Sequence, residues 1–203
     1  MSIVHLDKRI TNNLDEYNEY LRSSDSQIYL SGKWEKDDSG PDCLSLTVGD
    51  CWYDDSRYLK INPKKGIKIK PHDSVVIETA EEIALPFNMY GLLFGAGRNI
   101  YRGTFISSGK IDPGFYGRLR IGFHNGSNKP VILKPGDKLA YSVFVNTECD
   151  LETSRLPHAL SQPVVVTLNK REYVKRWFSQ NWNFSSGVAV ASLIFAGLTF
   201  FLK

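Results

Sequence analysis

The sequence predicts a mostly β domain, a barrel or sandwich, with a short N-terminal helix ahead of it and one C-terminal transmembrane helix behind. Three observations predict this. One amphipathic pattern of helical spacing opens the chain. Short apolar alternations then recur about every eight to twelve residues, divided by Pro, Gly and Asn. Finally, residues 184–202 carry no charge at all. A chain of 203 residues suffices for one well-buried domain and an appendage.

The stretch Ile10 to Leu21 places Leu14, Tyr17 and Leu21 on one helical face, with Thr11, Asn12 or Asn13 as N-cap. It belongs to a first region, 1–24. From Asp25 to Gly40 the chain is polar and turn-rich, and a β domain over 25–146 follows. Leu44, Leu46 and Val48 alternate up to Gly49, and Ile67 and Ile69 alternate with lysines. Val75 to Glu78 follows the Pro71-His72-Asp73 turn. Further strands read as Tyr90 to Phe94, Arg118 to Phe123, Val131 to Leu133 and Leu139 to Val145.

Residues 147–183 read as a linker and basic juxtamembrane segment. Within it Thr147 to Pro163 is mixed and polar, and Val164 to Arg176 fits either a last strand or the start of a basic helix. The run 184–202, FSSGVAVASLIFAGLTFFL, is long enough as a helix to cross a hydrocarbon core, at about 1.5 Å per residue. Lys170, Arg171, Lys175 and Arg176 stand before it with Trp177, Phe178 and Trp182, and Lys203 closes the chain. Basic residues on the N-terminal flank keep the larger domain on the cytoplasmic side of a single-pass anchor. Two pairs of small residues, Gly187 with Ala191 and Ser192 with Ala196, would let such helices approach closely.

Composition excludes some chemistry. The net charge of +3 is too small to point to nucleic acid. Cys43, Cys51 and Cys149 have no metal-type spacing, so no metal site is expected, and an odd count fits a reducing compartment. Zinc-dependent deamination needs H-x-E and P-C-x-x-C elements, and neither occurs.

The richest segment is Ser107 to Gly117, SSGKIDPGFYG, followed by the alternating RLRIGF, Asn125, Val131 to Leu133, and Pro135-Gly136-Asp137. Asp112-Pro113-Gly114 reads as a tight turn, with proline fixing φ and glycine free to take positive φ. Lys134-Pro135-Gly136-Asp137 reads as a second. In order and spacing the segment resembles the central motif of the dCTP deaminase/dUTPase superfamily, G-x-I-D-P-G-F-x-G, a strand, an Asn, a loop, and a strand ending in Pro-Gly. The resemblance covers roughly Asp25 to Val145.

The resemblance implies a dUTPase-like, β-clip distorted barrel that assembles as a homotrimer with nucleotide pockets at subunit interfaces. Ser107, Gly109, Ile111 and Phe115 would then line the nucleotide site, with Asp112 under the deoxyribose as the surviving catalytic carboxylate. The pattern departs from the family in four places. Gly122 stands where the deaminases carry a proton-shuttling glutamate. The phosphate-holding Arg-Ser element is replaced by FGAGRNIYRG, in which Arg98 and Arg102 supply charge from shifted positions. Tyr141 stands where a phosphate-contacting glutamine is expected, and no glycine-rich closing arm follows Val145.

These departures favour a membrane-anchored nucleotide-binding protein, a sensor or effector with lost or impaired catalysis rather than an enzyme. No cofactor is called for, save Mg2+ accompanying a nucleoside triphosphate. A tethered pyrimidine deoxynucleotide deaminase or diphosphatase and a structural trimerising scaffold are the alternatives. A scaffold would fill the old pocket with Phe105, Phe115 or Tyr116.

Overall fold

Alternation decides which side of each strand is buried, and it places most of the core correctly. The computed structural model describes residues 2–21, 25–31, 40–54 and 57–147, with the single positions 171, 174, 187 and 192. The chain divides into two compact units, Met1–Val166 and Thr167–Lys203. The description below concerns the first.

A 3-10 turn at Leu6–Lys8 precedes β1 (Ile10–Thr11), α1 (Leu14–Glu19), β2 (Ile28–Leu30), β3 (Leu44–Asp54), β4 (Arg57–Lys60), β5 (Ile67–Ile69) and β6 (Ser74–Ala84). Then come β7 (Met89–Gly95), α2 (Gly97–Tyr101), β8 (Thr104–Ile106), β9 (Gly109–Ile111), β10 (Tyr116–Asn125), β11 (Val131–Leu133) and β12 (Lys138–Asn146).

The N-terminal helix is shorter than its periodicity suggests. Asn13 caps it, its side chain accepting from the Asp15 N–H, and Tyr17 is buried. Ile10 and Thr11 are instead drawn into a parallel bridge with Ile28 and Tyr29, which leaves Leu14 exposed. The same pairing corrects the reading of 25–40 as polar turn: Ile28 and Leu30 are buried core residues of β2. Residues 32–39 lie outside the described residues.

The strands run longer than the sequence suggests. Strand β3 continues through Gly49 because the chain bulges there, between Val48 and Trp52, as it crosses β6. A Cβ at Gly49 would lie 2.8 Å from the carbonyl oxygens of both Glu78 and Thr79, so only glycine allows the crossing. The N-terminal half of β3 pairs with β12, which pairs with β7 and then β9. Its C-terminal half pairs with β4 and β6. The free edge of β6 is taken along its length by β10, which also pairs with β8. Strands β5 and β11 form a separate two-stranded ribbon.

Pairing with β12 along one half and with β4 and β6 along the other, β3 joins the two arms of one ten-stranded sheet. Its Leu44, Leu46 and Val48 meet Ile77, Ile83, Ile121, Phe123, Leu139 and Phe144 in the core. Each such burial contributes about 1.5–3 kcal/mol. Cys51 is buried and forms no disulfide.

Among the described residues no helix is long and apolar enough to cross a membrane. Apart from single positions, the linker beyond Thr147, the basic cluster, the run 184–202 and Cys149 lie outside the described residues.

Candidate functional site

Three features carry the chemistry of the domain: the turn joining β9 to β10, the outer face of β10 with β6, and a cavity beside α2. The strands either side of the turn do not pair with each other: β9 pairs with β7, and β10 with β6 and β8. Asp112 O accepts from the Phe115 N–H at 3.1 Å, Pro113 sets φ, and Gly114 has φ +73°, the combination a type II turn needs. The Gly114 N–H donates to Leu85 O and the Leu85 N–H to Phe115 O, so the turn is tied to the segment after β6.

At the turn, Asp112 keeps its carboxylate half exposed and ion-paired to Lys110, Oδ1 to Nζ at 2.7 Å. That bond and the carboxylate charge raise the Lys110 pKa. Ile111 is different: the residue is buried, with its side chain in the core beside Gly91. Ser107 and Gly109 are exposed, and Phe115 is half-buried.

Gly122 sits on the outer face of β10, where Arg120, Gly122 and His124 alternate with core-facing Leu119, Ile121 and Phe123. Ser107 fills the space beside it. The Gly122 N–H donates to Ser107 Oγ at 3.0 Å, and the Ser107 N–H donates to Gly122 O at 2.8 Å. A Cβ at position 122 would stand 3.0 Å from Ser107 Oγ and 3.3 Å from its Cβ.

On the same face lies a cluster that sequence reasoning did not anticipate. Arg120 is opposite Glu78 in the β10–β6 register, with Nε 3.7 Å from Glu78 Oε2. Glu78 is buried and accepts a short hydrogen bond from the Tyr58 hydroxyl. The Arg120 guanidinium lies 4.9 Å above the Tyr53 ring, and Tyr53 and Tyr58 are in ring contact. Burial pushes the Tyr58 phenol up, and the bonds to Glu78 and Cys51 push it further. Burial raises Tyr53 too, against the lowering charge of Arg120. The only signal in the sequence is the alternation of Arg120 with Gly122. The pairing with Glu78 depends on a register shift between Arg118 and Arg120.

Arg98 and Arg102 do come together, in a cavity of about 210 Å³ walled also by Ile132, Asp137 and Lys138. Within FGAGRNIYRG, residues Gly97–Tyr101 form the short helix α2, and Asn99 pins it in place. Its Nδ2 donates to Lys138 O at 3.3 Å, while its carbonyl accepts from Thr104 Oγ1 at 2.7 Å. Ser107, Gly109, Ile111 and Phe115 are not among the cavity walls. Tyr141 is elsewhere again, paired with exposed Phe94 and two strands away from β9. One chain therefore gathers the expected residues into separate groups.

The bulky residues expected of a scaffold do not plug a cavity within one chain. Phe105 and Tyr116 are each about half exposed, and Phe105 stacks on His124. Among the described residues no three His, Cys, Asp or Glu side chains gather as a metal site.

The chain's likenesses bear on this geometry. A family model described as dCTP deaminase-like matches residues 42–147, which span β3 to β12 and every site residue discussed. The dCTP deaminase of Hyperthermus butylicus is 35% identical over 89 residues, 44% of this chain and 50% of that protein. That of Thermococcus kodakarensis is 29% identical over 108 residues, 53% of this chain and 70% of that protein. The chain thus spans only half the length of the Hyperthermus relative. A crystal structure of 2'-deoxycytidine 5'-triphosphate deaminase from Agrobacterium tumefaciens superposes with a TM-score of 0.49 and 16% identity, over 64% of this chain and 47% of that one.

Proposed function

Because the chain belongs to the dCTP deaminase-like family, we propose that it binds a (deoxy)nucleotide, no longer deaminates it by the family's route, and acts as a sensor or effector at a membrane. The observation that carries this is position 122. A deaminating site needs a group that takes a proton from water and returns one to the leaving amine. Glycine has none, and the Ser107 hydroxyl, bonded to the Gly122 N–H at 3.0 Å, occupies the neighbouring space. The nearest carboxylate on that face, Glu78, is buried and committed to Tyr58 and Arg120.

Nucleotide binding rests on what the fold retains. The turn at 112–114 is intact, with an exposed Asp112. Arg98 and Arg102 share a cavity able to take phosphate oxygens. Since the residues of the β9–β10 turn and the cavity residues form separate groups in one chain, a complete site is proposed to use two chains of a homotrimer. A Mg2+ ion would enter with the phosphates of the nucleotide, neutralising their charge, since the described residues offer no cluster of their own to hold it.

A tethered hydrolase is the second reading, and the accessible Asp112 carboxylate favours it. Detergent-solubilised full-length protein incubated with dCTP, dUTP and their ribose counterparts separates the two. Thermal stabilisation without product supports a sensor. Uracil nucleotide from dCTP, or pyrophosphate from dUTP, replaces it with the hydrolase.

A further inference from the structure

The net charge of +3 conceals a local concentration. Residues 61–71 and 127–136 hold six lysines and no carboxylate. Strands β5 and β11 join these segments, with Ile132 paired to Lys68 and Leu133 to Ile67. The inner side of the ribbon is fixed: Ile67, Ile69 and Leu133 are buried. The outer side presents Lys68 beside Ile132, whose aliphatic side chain is 54% exposed.

The turn leading into β5 adds to this face. Asn62 Oδ1 accepts from the N–H groups of Lys64 and Lys65 at 3.0 and 2.9 Å, which holds both lysines on an ordered loop. Gly66 then packs so tightly on the ribbon that a Cβ would come within 3.0 Å of Lys134 Cγ and 2.9 Å of Ile132 Cγ2. Lys64, Lys65, Lys68, Lys129 and Lys134 are all exposed. Past Ile132 the face runs into the wall of the Arg98–Arg102 cavity.

We propose that this ribbon face is a docking surface for an anionic phospholipid bilayer, which it meets side-on. Lysines are flexible point charges, suited to a plane of mobile phosphates rather than to one fixed anion. An exposed aliphatic side chain among them can enter the headgroup boundary while the lysine stems reach outward. The two segments contain no aromatic residue, so the stacking platform that single-stranded nucleic acid requires is missing. This inference uses the membrane reading above only to put a bilayer within reach, since the ribbon would recognise the bilayer by charge and not through the apolar run 184–202.

The test reconstitutes the full-length chain in phosphatidylcholine vesicles with or without phosphatidylglycerol. Amide hydrogen exchange is followed in peptides covering 62–70 and 129–134, with β7 as internal reference. The expected result is slowing of at least tenfold in the anionic vesicles alone, reversed by 0.5 M NaCl. It should be lost in a Lys64→Glu, Lys68→Glu, Lys134→Glu variant, each lysine being worth about fivefold in surface affinity. Equal exchange in both vesicles overturns the proposal. So does protection in neutral vesicles by inorganic phosphate alone or by a single-stranded oligonucleotide. Flotation after an alkaline carbonate wash reads the anchor separately. A chain washed off the vesicles while charge-dependent protection persists refutes the anchor and leaves the ribbon surface standing.

Discussion

Placing a glutamate at position 122 is the sharpest perturbation of this site. In Gly122→Glu the new Cβ meets Ser107 Oγ at 3.0 Å and Ser107 Cβ at 3.3 Å, both tighter than ordinary contact. Ser107 is exposed, so its hydroxyl can turn away, but the Gly122 N–H then loses its acceptor. One such bond contributes about 0.5–1.5 kcal/mol, and the residual Cβ crowding adds a few tenths more. The single variant should therefore be about 1–1.5 kcal/mol less stable, a fall of roughly 2–6 °C in Tm for a domain of this size. Substituting Ser107→Gly removes both crowding atoms. The double variant should then be more stable than the sum of the single effects predicts, a positive coupling of about 0.5 kcal/mol or more. The assay is a double-mutant cycle by urea denaturation, paired with ammonia release from dCTP. Strict additivity, or a Gly122→Glu protein as stable as the parent, would refute the claim that Ser107 occupies this space. Ammonia release by the parent protein would refute the larger claim that deamination is lost.

Other elements predict different readouts. Glu78→Gln keeps an acceptor for Tyr58 but leaves Arg120 without its countercharge, and should cost about 1–2 kcal/mol in urea denaturation; Glu78→Ala, which loses both, should cost about 3. Asn125 is fully buried and donates to Ile69, Lys70 and Lys129 carbonyls while accepting from Ser127, so Asn125→Ala should lose about 3 kcal/mol, again by urea denaturation, and loosen the 127–130 loop in hydrogen exchange. Burial raises the Tyr17 phenol to about 12, above its ordinary value near 10. Its stabilisation is thus complete below about pH 10 and is lost as pH rises through about 12, because the unfolded chain gives up that proton first. Tyr17→Phe should make thermal stability fall less steeply with pH across that window, the raised Tyr53 and Tyr58 still contributing, and lower it by about 1 kcal/mol at neutral pH where the bond to Leu85 O is lost.

What could be read in the sequence was whatever local chemistry dictates. The turn at Asp112-Pro113-Gly114, the alternation of Leu44, Leu46 and Val48, and a helix cap among Thr11, Asn12 and Asn13 follow from residue type and spacing within a few positions, and all are present, the cap falling to Asn13. What could not be read depends on partners far along the chain. Ile28 and Leu30 carry too little local pattern to announce a strand; β6 and β1, more than 50 and about 18 residues away, make them one. Gly49 looked like a stop because glycine usually ends a strand, whereas here it permits the close crossing of β3 over β6.

The same distinction explains the candidate site. A glycine at 122 is visible in one letter, but its surroundings are not, because the residues that settle around Gly122 come from elsewhere in the chain. Ser107 arrives from beyond β8, and Glu78 arrives from β6, one residue pair further along the face. A lone Arg120 on an outward face would ordinarily be solvated. Opposed to a buried Glu78 and stacked on Tyr53, it becomes part of a rigid polar layer whose energy depends on all its members being present. A layer of this kind has little freedom to yield a proton to a ligand. That physical restraint stands beside Gly122 as a second ground for the proposal that this face holds a nucleotide without deaminating it.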